Sequence, residues 1–212
     1  GLGIMGLQGA FFKMRIPFES DKGHALSARI SEEIYYQAIC TSMRLAKEKG
    51  SFPAFADSRY ADGKLQIQLA RETQAAMPPL HHDWDDLAWQ VKTNGLRNSL
   101  LIAVAPTATI ASISGCFESI EPQISNYFKR ETLSGEFLQV NKYLINDLKR
   151  LGLWTATMRN RIVESEGSIQ ELTEIPEEIR GLYKTVWEIS QKNLIDAAVA
   201  RSTFICQSQS LN

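Results

Sequence analysis

The sequence lacks an apolar run long enough to span a bilayer, and it lacks the pattern of a signal peptide. Its 23 basic and 24 acidic side chains leave a net charge of −1, which excludes the basic excess of a nucleic-acid or anionic-membrane binder. Cysteine is scarce, with Cys40, Cys116 and Cys206 alone, which favours free thiols over a disulfide framework. These absences predict a cytoplasmic protein with neither nucleic-acid nor membrane partners.

The residues that are present suit one globular α/β unit, because 44% are hydrophobic and 22% are charged. Apolar spacing and capping residues predict a turn and a short helix within 1–16, and a long helix to about residue 49 that Ser20 or Asp21 caps. Further helices are predicted at 85–93, at 141–151 with Asn141 as the cap and at 155–165 with Thr155 as the cap, and one or two helices from 176 to about 201. Strands are predicted at 100–105 and 203–207. Residues 51–83 are predicted to be an irregular surface connection, and residues 113–136 a loop. Since the chain starts without methionine and stops just after an apparent strand, we expect a fragment of a longer chain.

The most informative segment is the apolar run 100–105, which predicts a strand buried on both faces. Pro106 ends it, because proline has no N–H to donate to a ladder. Thr107, Ala108 and Thr109 follow, and the backbone N–H groups and hydroxyls of such a turn suit an anion. The pattern indicates a phosphate-binding turn at the carboxyl end of a parallel strand. A plain strand-to-helix turn capped by Thr107 or Thr109 is the alternative that the local sequence leaves open.

Three glycines near the start, Gly1, Gly3 and Gly6, have the spacing of a dinucleotide-binding fingerprint. Glu19 or Asp21 is then the candidate for the acid that binds the ribose. The fingerprint requires a strand before it and a second strand leading to the acid. Because the sequence predicts a long helix where that second strand should end, we interpret the glycines as a glycine-rich turn.

Two further clusters of polar side chains are candidates for chemistry. Glu118 and Glu121 form a possible acid–base pair, but no histidine or lysine lies near them in sequence, so hydrogen bonding to loop backbone is favoured. His81 and His82 precede three aspartates and form a possible metal site. Because adjacent histidines point in different directions, an exposed segment without a metal is favoured.

The cysteines, the four tryptophans and the adjacent Tyr35 and Tyr36 have simpler interpretations. The tyrosines and tryptophans lie in helical patterns, which favours packing roles. The three cysteines are interpreted as structural or incidental.

Eight blocks of sequence follow one another in an order that is typical of one family. They are residues 94–103 (NGLRNSLLIA), 106–109 (PTAT), 118–122 (ESIEP), 125–126 (SN), 133–137 (LSGEF), 140–141 (VN), 182–192 (LYKTVWEISQK) and 207–212 (QSQSLN). Together they resemble the large, catalytic subunit of class I ribonucleotide reductases, over nearly the whole chain.

The resemblance implies a fold and a reaction. The family fold is a ten-stranded α/β barrel made of two antiparallel five-stranded halves, and this chain resembles part of the second half. We therefore expect a helix-rich piece of that barrel. The implied reaction reduces ribonucleoside diphosphates at the 2′ position by thiyl-radical chemistry, for deoxyribonucleotide biosynthesis and DNA replication.

The resemblance also implies cofactors and partners for the whole enzyme. They are a separate small subunit with a metal-radical cofactor, a second copy of the large subunit, ATP, dATP and dNTP effectors, and a thioredoxin- or glutaredoxin-type reductant. None of these cofactors is expected to be held within the 212 residues.

The same resemblance assigns a substrate-phosphate loop. Its residues are Pro106, Thr107, Ala108, Thr109, Ile110 and Ala111. Backbone N–H groups and the hydroxyls of Thr107 and Thr109 are expected to hold the diphosphate, with Pro106 beside the nucleoside. Ile110 offers its N–H alone, where some relatives have a hydroxyl residue.

No catalytic residue is expected in this chain. The family's radical cysteine lies in an asparagine-x-cysteine-x-glutamate motif, which none of the three cysteines matches. The isolated chain is therefore expected to be inactive. Two alternatives stay open at this stage: part of an adenosylcobalamin-dependent reductase, whose phosphate loop is similar, and a stand-alone module that binds a nucleotide or phosphate.

Overall fold

A computed structural model describes residues 1–73, 76–132 and 135–211 of the chain. The chain divides into two compact units. Unit 1 comprises Gly1–Ile4, His24–Pro106 and Ile195–Asn212, and unit 2 comprises Met5–Gly23 and Thr107–Leu194. Among the described residues, no helix is long and apolar enough to cross a membrane.

Helices account for most of the regular structure. In chain order the elements are α1 (Leu7–Met14), α2 (Asp21–Lys49), α3 (Gln66–Thr73), α4 (Trp84–Asn94), α5 (Ala108–Ser114), β1 (Tyr127–Thr132), β2 (Gly135–Val140), α6 (Lys142–Arg150), α7 (Ala156–Glu164), α8 (Glu177–Leu182), a 3₁₀ turn (Val186–Glu188) and α9 (Gln191–Ser202).

Side chains that cap helix ends confirm several predicted boundaries. The Ser20 hydroxyl accepts from the Gly23 N–H at 3.1 Å at the start of α2. Asn141 accepts from two N–H groups of α6, and Thr155 accepts from the Met158 N–H of α7. Such caps satisfy N–H groups that have no partner inside the helix, so they mark a boundary through purely local chemistry.

The predicted surface connection at 51–83 is wrong over α3. Leu65, Ile67 and Ala70 are each at most 2% exposed, so this part of the segment contributes to a core. Pro53, Gly63 and the later prolines obscured the short apolar pattern between them. Gln74 and Ala75 lie outside the described residues.

The run 100–105 is extended, but it forms isolated bridges rather than a continuous ladder. Ile102 pairs in parallel with Leu2, and Val104 pairs in parallel with Gln209. Ile102 and Val104 are 5% and 7% exposed whereas Leu100 is 51% exposed, so the expected burial on both faces is wrong. The parallel direction agrees with the prediction, while the alternating burial indicates a single covered face.

The predicted strand at 203–207 is also wrong. The chain turns after α9, where the Phe204 N–H donates to the Arg201 carbonyl at 2.9 Å. Phe204 is fully buried, so its apolar character reflects core packing and not a strand. The residue that bridges to Val104 is Gln209, a little further along.

The predicted loop at 113–136 contains most of an antiparallel hairpin instead. β1 pairs with β2 from Tyr127 opposite Val140 to Thr132 opposite Gly135. Residues 133 and 134, part of the LSGEF block, lie outside the described residues. Polar residues interrupt the apolar alternation of these strands, which explains why the sequence pattern did not predict them.

The core of unit 1 is built on aromatic rings. Tyr35 stacks on Trp84 with their centroids 5.5 Å apart, and Phe204 packs against the same indole at 6.0 Å. The packing role expected for Tyr35 and Trp84 is confirmed. Trp89 is 64% exposed, so the same expectation is wrong for that residue.

The core of unit 2 surrounds Phe12 of α1. Its ring contacts those of Phe117, Tyr143 and Tyr183 at 4.7 to 5.7 Å. Buried apolar residues complete the cluster: Leu144, Leu148, Met158, Ile162, Ile169, Leu172, Ile175, Ile179 and Leu182. Trp187, which is 83% exposed, takes no part in this core.

Candidate functional site

The predicted phosphate loop folds as a sharp turn into a short helix. Thr107 has φ of 56° and ψ of 20°, the left-handed conformation, and α5 begins at the next residue. The Ala111 N–H donates to the Thr107 carbonyl at 2.8 Å, which closes the first helical turn. Helix geometry leaves the N–H groups of Thr109 and Ile110 without intrahelical acceptors.

The exposure of this loop suits contact with a ligand. Pro106, Ala108, Thr109 and Ile110 are exposed and Thr107 is half-buried. Ala111 is fully buried and anchors the turn from below. Thr107 to Ala111 lie in unit 2, and Pro106 is the last residue of its unit 1 segment. The structure thus presents the hydroxyls and N–H groups of one short turn to solvent.

The Thr107 hydroxyl does not cap α5. Although Thr107 occupies the N-cap position, its side chain makes no capping hydrogen bond. Its Oγ1 instead accepts from the Ser119 N–H at 2.8 Å. The alternative of a plain capped turn at Thr107 is therefore wrong, and the hydroxyl connects the loop to the ESIEP block.

A network of buried amide side chains follows Ser119 in sequence. Gln123 Nε2 donates to Asn126 Oδ1 at 2.8 Å, and Asn141 Nδ2 donates to Gln123 Oε1 at 2.8 Å. Asn126 Nδ2 donates to the Gly167 and Tyr183 carbonyls, both at 2.9 Å. All three amides are at most 5% exposed. Buried amides that satisfy one another hold a segment in one conformation.

Sequence reasoning missed the roles of Ser119, Gln123 and Asn126, and it identified Asn141 as a helix cap only. Ser119, Asn126 and Asn141 stand in the ESIEP, SN and VN blocks, which named these residues without a physical role, and Gln123 lies in none of the blocks. The network depends on side chains far apart in sequence, so no local pattern could reveal it.

The glycine-rich start of the chain packs closely against residue 103 and does not form a dinucleotide site. A Cβ on Gly3 would lie 2.4 Å from the Ala103 carbonyl oxygen, so glycine is required there for packing. Glu19 pairs with Lys184, and Asp21 lies in the first turn of α2. Neither carboxylate follows a second strand among the described residues. Leu2, between the first two glycines, bridges in parallel to Ile102, so this stretch is extended and the predicted glycine-rich turn is wrong there.

The side chains of the two adjacent histidines contact glutamates of α2. His81 Nδ1 lies 2.7 Å from Glu32 Oε2, and His82 Nε2 lies 2.8 Å from Glu33 Oε2. Asp83 caps α4 by accepting from the Asp86 N–H. Across the described residues, no group of three or more histidine, cysteine, aspartate or glutamate side chains is arranged to hold a metal ion.

The remaining candidates have no established catalytic geometry. The Glu121 N–H donates to the Glu118 carbonyl at 3.4 Å, so this block forms a turn, and the favoured role of the two carboxylates in hydrogen bonding to loop backbone stays a prediction. The three cysteines are free thiols, as expected. Burial raises the pKa of the Cys40 thiol. Cys206 Sγ accepts from the Leu101 and Ile102 N–H groups at 3.1 and 3.2 Å, a structural role.

Comparison with known proteins identifies the family. The model of the ribonucleotide reductase barrel domain matches residues 1–212, the whole chain. The chain belongs to this family. The blocks that carried the resemblance in the sequence are thus confirmed as those of a ribonucleotide reductase.

Curated relatives of this ribonucleotide reductase chain carry consistent names. The ribonucleoside-diphosphate reductase large chain of Encephalitozoon cuniculi is 45% identical over 212 residues, which cover all of this chain and 27% of that protein. The large subunit of Danio rerio is also 45% identical, over 26% of its length. The chain therefore spans about a quarter of the length of the curated relatives that it matches.

A solved structure agrees in fold. The alpha subunit of the Actinobacillus ureae class Id ribonucleotide reductase superimposes with a TM-score of 0.74 at 26% sequence identity. The match covers all of this chain and 32% of that one. The ribonucleotide reductase chain described here is accordingly helix-rich with few strands, and agrees with part of an α/β barrel.

Proposed function

We propose that this chain is part of the catalytic subunit of a ribonucleoside-diphosphate reductase and supplies its substrate-phosphate loop. The match to the barrel-domain family along the entire chain carries this proposal. As part of that catalytic subunit, the chain contributes to the second half of a ten-stranded barrel. The whole enzyme makes deoxyribonucleotides for DNA synthesis in the cytoplasm.

The loop offers hydrogen-bond donors to an anion. The N–H groups of Thr109 and Ile110 lie at the start of α5, where helix geometry leaves them without partners. The hydroxyls of Thr107 and Thr109 add two donors on the same turn. In this proposal these four donors bind the diphosphate, Ala108 and Ala111 shape the turn, and Pro106 lies beside the nucleoside.

Binding the phosphates contributes to the reaction through orientation. A substrate held by its remote phosphates presents its ribose in a fixed position, and such positioning lowers the entropic part of the barrier. The chain's own residues thus bind and orient, while the radical chemistry requires groups that these 212 residues do not contain.

The proposed partners follow from the family. They are a radical-generating small subunit with a metal cofactor, a second catalytic subunit, nucleotide effectors and a dithiol reductant. The relatives' names, large chain and alpha subunit, support an enzyme of two kinds of subunit.

Calorimetric titration of the purified chain with pyrophosphate and with ADP tests the loop. Because a hydrogen bond to a charged group contributes about 1.5–3 kcal/mol, we expect Thr107→Val combined with Thr109→Val to weaken binding at least about tenfold. Thr93→Val is the matched control, since its hydroxyl bonds to the Trp89 carbonyl within α4.

Unchanged affinity in the double variant would eliminate the loop as the phosphate site. A second assay mixes the chain with CDP and dithiothreitol, and we expect no dCDP. Formation of dCDP would contradict the proposal that the chain supplies binding without redox chemistry. Activity restored by adenosylcobalamin in an enzyme that includes this segment would favour the cobalamin-dependent alternative.

A further inference from the structure

Thr107 and Ser119 share an uncommon backbone conformation. Their φ angles are 56° and 42°, and neither residue is glycine. Positive φ is especially unfavourable for a β-branched residue such as Thr107. Conformations of this kind persist where the surrounding structure holds them, and they concentrate at ligand-binding sites.

One hydrogen bond joins these two residues, and its direction is fixed. The Ser119 N–H donates to Thr107 Oγ1 at 2.8 Å, and a backbone N–H has no acceptor capacity. The hydroxyl is therefore the acceptor in this bond and keeps its own hydrogen for another partner. Among the described residues, no protein atom accepts that hydrogen. Accepting one hydrogen bond also polarises the O–H group for the bond that it donates.

We propose that Ser119 is a positioning residue, whose backbone N–H orients the Thr107 hydroxyl so that its hydrogen donates to a substrate phosphate oxygen. This inference rests on the proposed function, because it names how one side chain of that loop recognises the diphosphate. The bond favours an acceptor as ligand, since one lone pair of Thr107 Oγ1 already receives a donor and the hydroxyl hydrogen is left to donate.

The surroundings of Ser119 keep its N–H in place. Ser119 is fully buried, and the amide network of Gln123, Asn126 and Asn141 follows it closely in sequence. The Ser119 hydroxyl is buried without a hydrogen-bond partner among the described residues. The backbone N–H is the group of Ser119 that bonds to the loop.

The decisive variant removes that N–H and keeps the side chain. The α-hydroxy analogue of serine, introduced at position 119 of the full chain, replaces the N–H by an ester oxygen. Because one such bond contributes on the order of 1 kcal/mol, we expect about three- to tenfold weaker binding of pyrophosphate by calorimetry. The same ester replacement at Ser58, whose N–H donates to the Phe55 carbonyl at 3.0 Å in a turn of unit 1, is the matched control, with affinity within about twofold of the parent chain.

A double-substitution cycle with Thr107→Val separates positioning from general damage to the turn. The ester also weakens the Glu118 carbonyl, which accepts from the Glu121 N–H, but this effect is independent of the Thr107 hydroxyl. We therefore expect the ester to have no further effect on affinity in the Thr107→Val background. Thr107→Ser, which retains the hydroxyl, is expected to restore the sensitivity to the ester.

Nuclear magnetic resonance adds a readout that a purely structural bond would not change. With pyrophosphate, the Ser119 amide proton is expected to shift downfield in the parent chain and in Thr107→Ser, but not in Thr107→Val. A shift of equal size in Thr107→Val would show that the amide senses the ligand by another route and would overturn the inference.

The outcomes for the inference and for the proposed function differ. If Thr107→Val weakens binding and the ester does not, the loop stands and the positioning role of Ser119 is wrong. If the ester weakens binding equally with and without the Thr107 hydroxyl, the role is also wrong. If the parent chain binds no pyrophosphate while its amide spectrum shows a folded protein, the proposed function fails and the inference falls with it.

Discussion

Glu32 in unit 1 and Asp147 in unit 2 are both buried carboxylates, yet different kinds of donor stabilise them. Glu32 is fully buried and Asp147 is 4% exposed. The donors to Glu32 are a backbone N–H, an imidazole and an indole, all from His81 and Trp84. Asp147 accepts from two arginines and a tyrosine. The first carboxylate is held mostly by dipoles and the second by opposite charge.

The donors to Glu32 belong to one short stretch of chain. The His81 N–H lies 2.7 Å from Glu32 Oε1, and Trp84 Nε1 lies 3.1 Å from the same oxygen. Burial by itself raises the pKa of the Glu32 carboxyl, but these N–H donors outweigh burial and hold the pKa below its ordinary value. The carboxylate thereby attaches the start of α4 to α2.

The donors to Asp147 come from three places in the sequence. Arg15 follows α1, Arg150 ends α6, and the Tyr183 hydroxyl donates at 2.7 Å from the residue after α8. Burial raises the pKa of Asp147, while Tyr183 and the two arginines together lower it below its ordinary value. Burial and the adjacent carboxylate raise the pKa of Tyr183.

The comparison shows that the two units compensate a buried carboxylate in different ways. Opposite charges compensate Asp147, so its removal leaves Arg15 and the Tyr183 hydroxyl without their acceptor. Two of the three donors to Glu32 are the His81 backbone N–H and the Trp84 indole, so a neutral side chain of the same shape retains part of its bonding. Substitutions at the two sites should therefore differ in size, and four experiments test this.

The largest effect is expected for Asp147→Ala. Loss of the acceptor for two arginines and a buried tyrosine should lower the free energy of unfolding by about 3 kcal/mol. Urea denaturation followed by circular dichroism measures this change. Glu178→Ala is the control, because Glu178 is exposed and lies 3.6 Å from Arg15. Equal loss in both variants would show that the ion pairs, and not burial, set the effect.

A smaller loss is expected for Glu32→Gln. The amide keeps the shape and one acceptor oxygen but turns an NH₂ group towards N–H donors, which costs about 1–2 kcal/mol. Urea denaturation followed by circular dichroism measures this change. Glu33→Gln, next to it on α2 and half-exposed, should leave the unfolding midpoint unchanged. A loss at Glu32 larger than at Asp147 would reverse the comparison.

Acid should weaken both sites through their lowered pKa values. A carboxyl whose pKa is lower in the folded state contributes stability above its unfolded pKa, and this is lost as the pH falls through the folded pKa. For Glu32 and Asp147 the loss should begin below about pH 4, near the unfolded values. Denaturation between pH 6 and pH 2.5 should give shallower pH dependence in Glu32→Gln and Asp147→Asn than in the parent chain. Parallel curves would show that neither carboxyl group contributes to the pH dependence of stability.

The smallest effect is expected for His82→Phe. The His82 ring stacks on Tyr36 with centroids 3.8 Å apart, and phenylalanine preserves this contact. The lost bond to Glu33 is partly exposed, and such pairs contribute little. The thermal midpoint should stay within experimental error, whereas His82→Ala, which removes the stack, should lower it. Equal midpoints for the two variants would show that the stack contributes nothing.

Local signals explain which parts of the fold could be predicted. Ser20, Asn141 and Thr155 stand next to the N–H groups that they cap, so the sequence located those helix ends. α3 and the β1–β2 hairpin were missed, because their apolar residues are too few to outweigh neighbouring prolines and polar residues. Residues 203–207 were predicted to be a strand for the opposite reason, since an apolar run is equally compatible with a buried turn.

The candidate site also combines features that the local sequence predicts with features that it does not. The order of the sequence blocks identified the family, and the hydroxyl and small residues after Pro106 indicated a turn suited to phosphate. Ser119 was named only as part of the ESIEP block, because the bond to Thr107 spans residues whose separation follows no local periodicity. The same applies to Glu32, whose partners lie about fifty positions further along the chain.

The sequence by itself determined the family, most helix boundaries and the position of the proposed loop, since each depends on residue order or on contacts between near neighbours. Tertiary structure decided which buried charges have partners, which face of 100–105 is covered, and where the hydroxyl of Thr107 receives its hydrogen bond. These features depend on distances between segments that are remote in sequence. Only the folded chain brings such segments within the roughly 3 Å reach of a hydrogen bond.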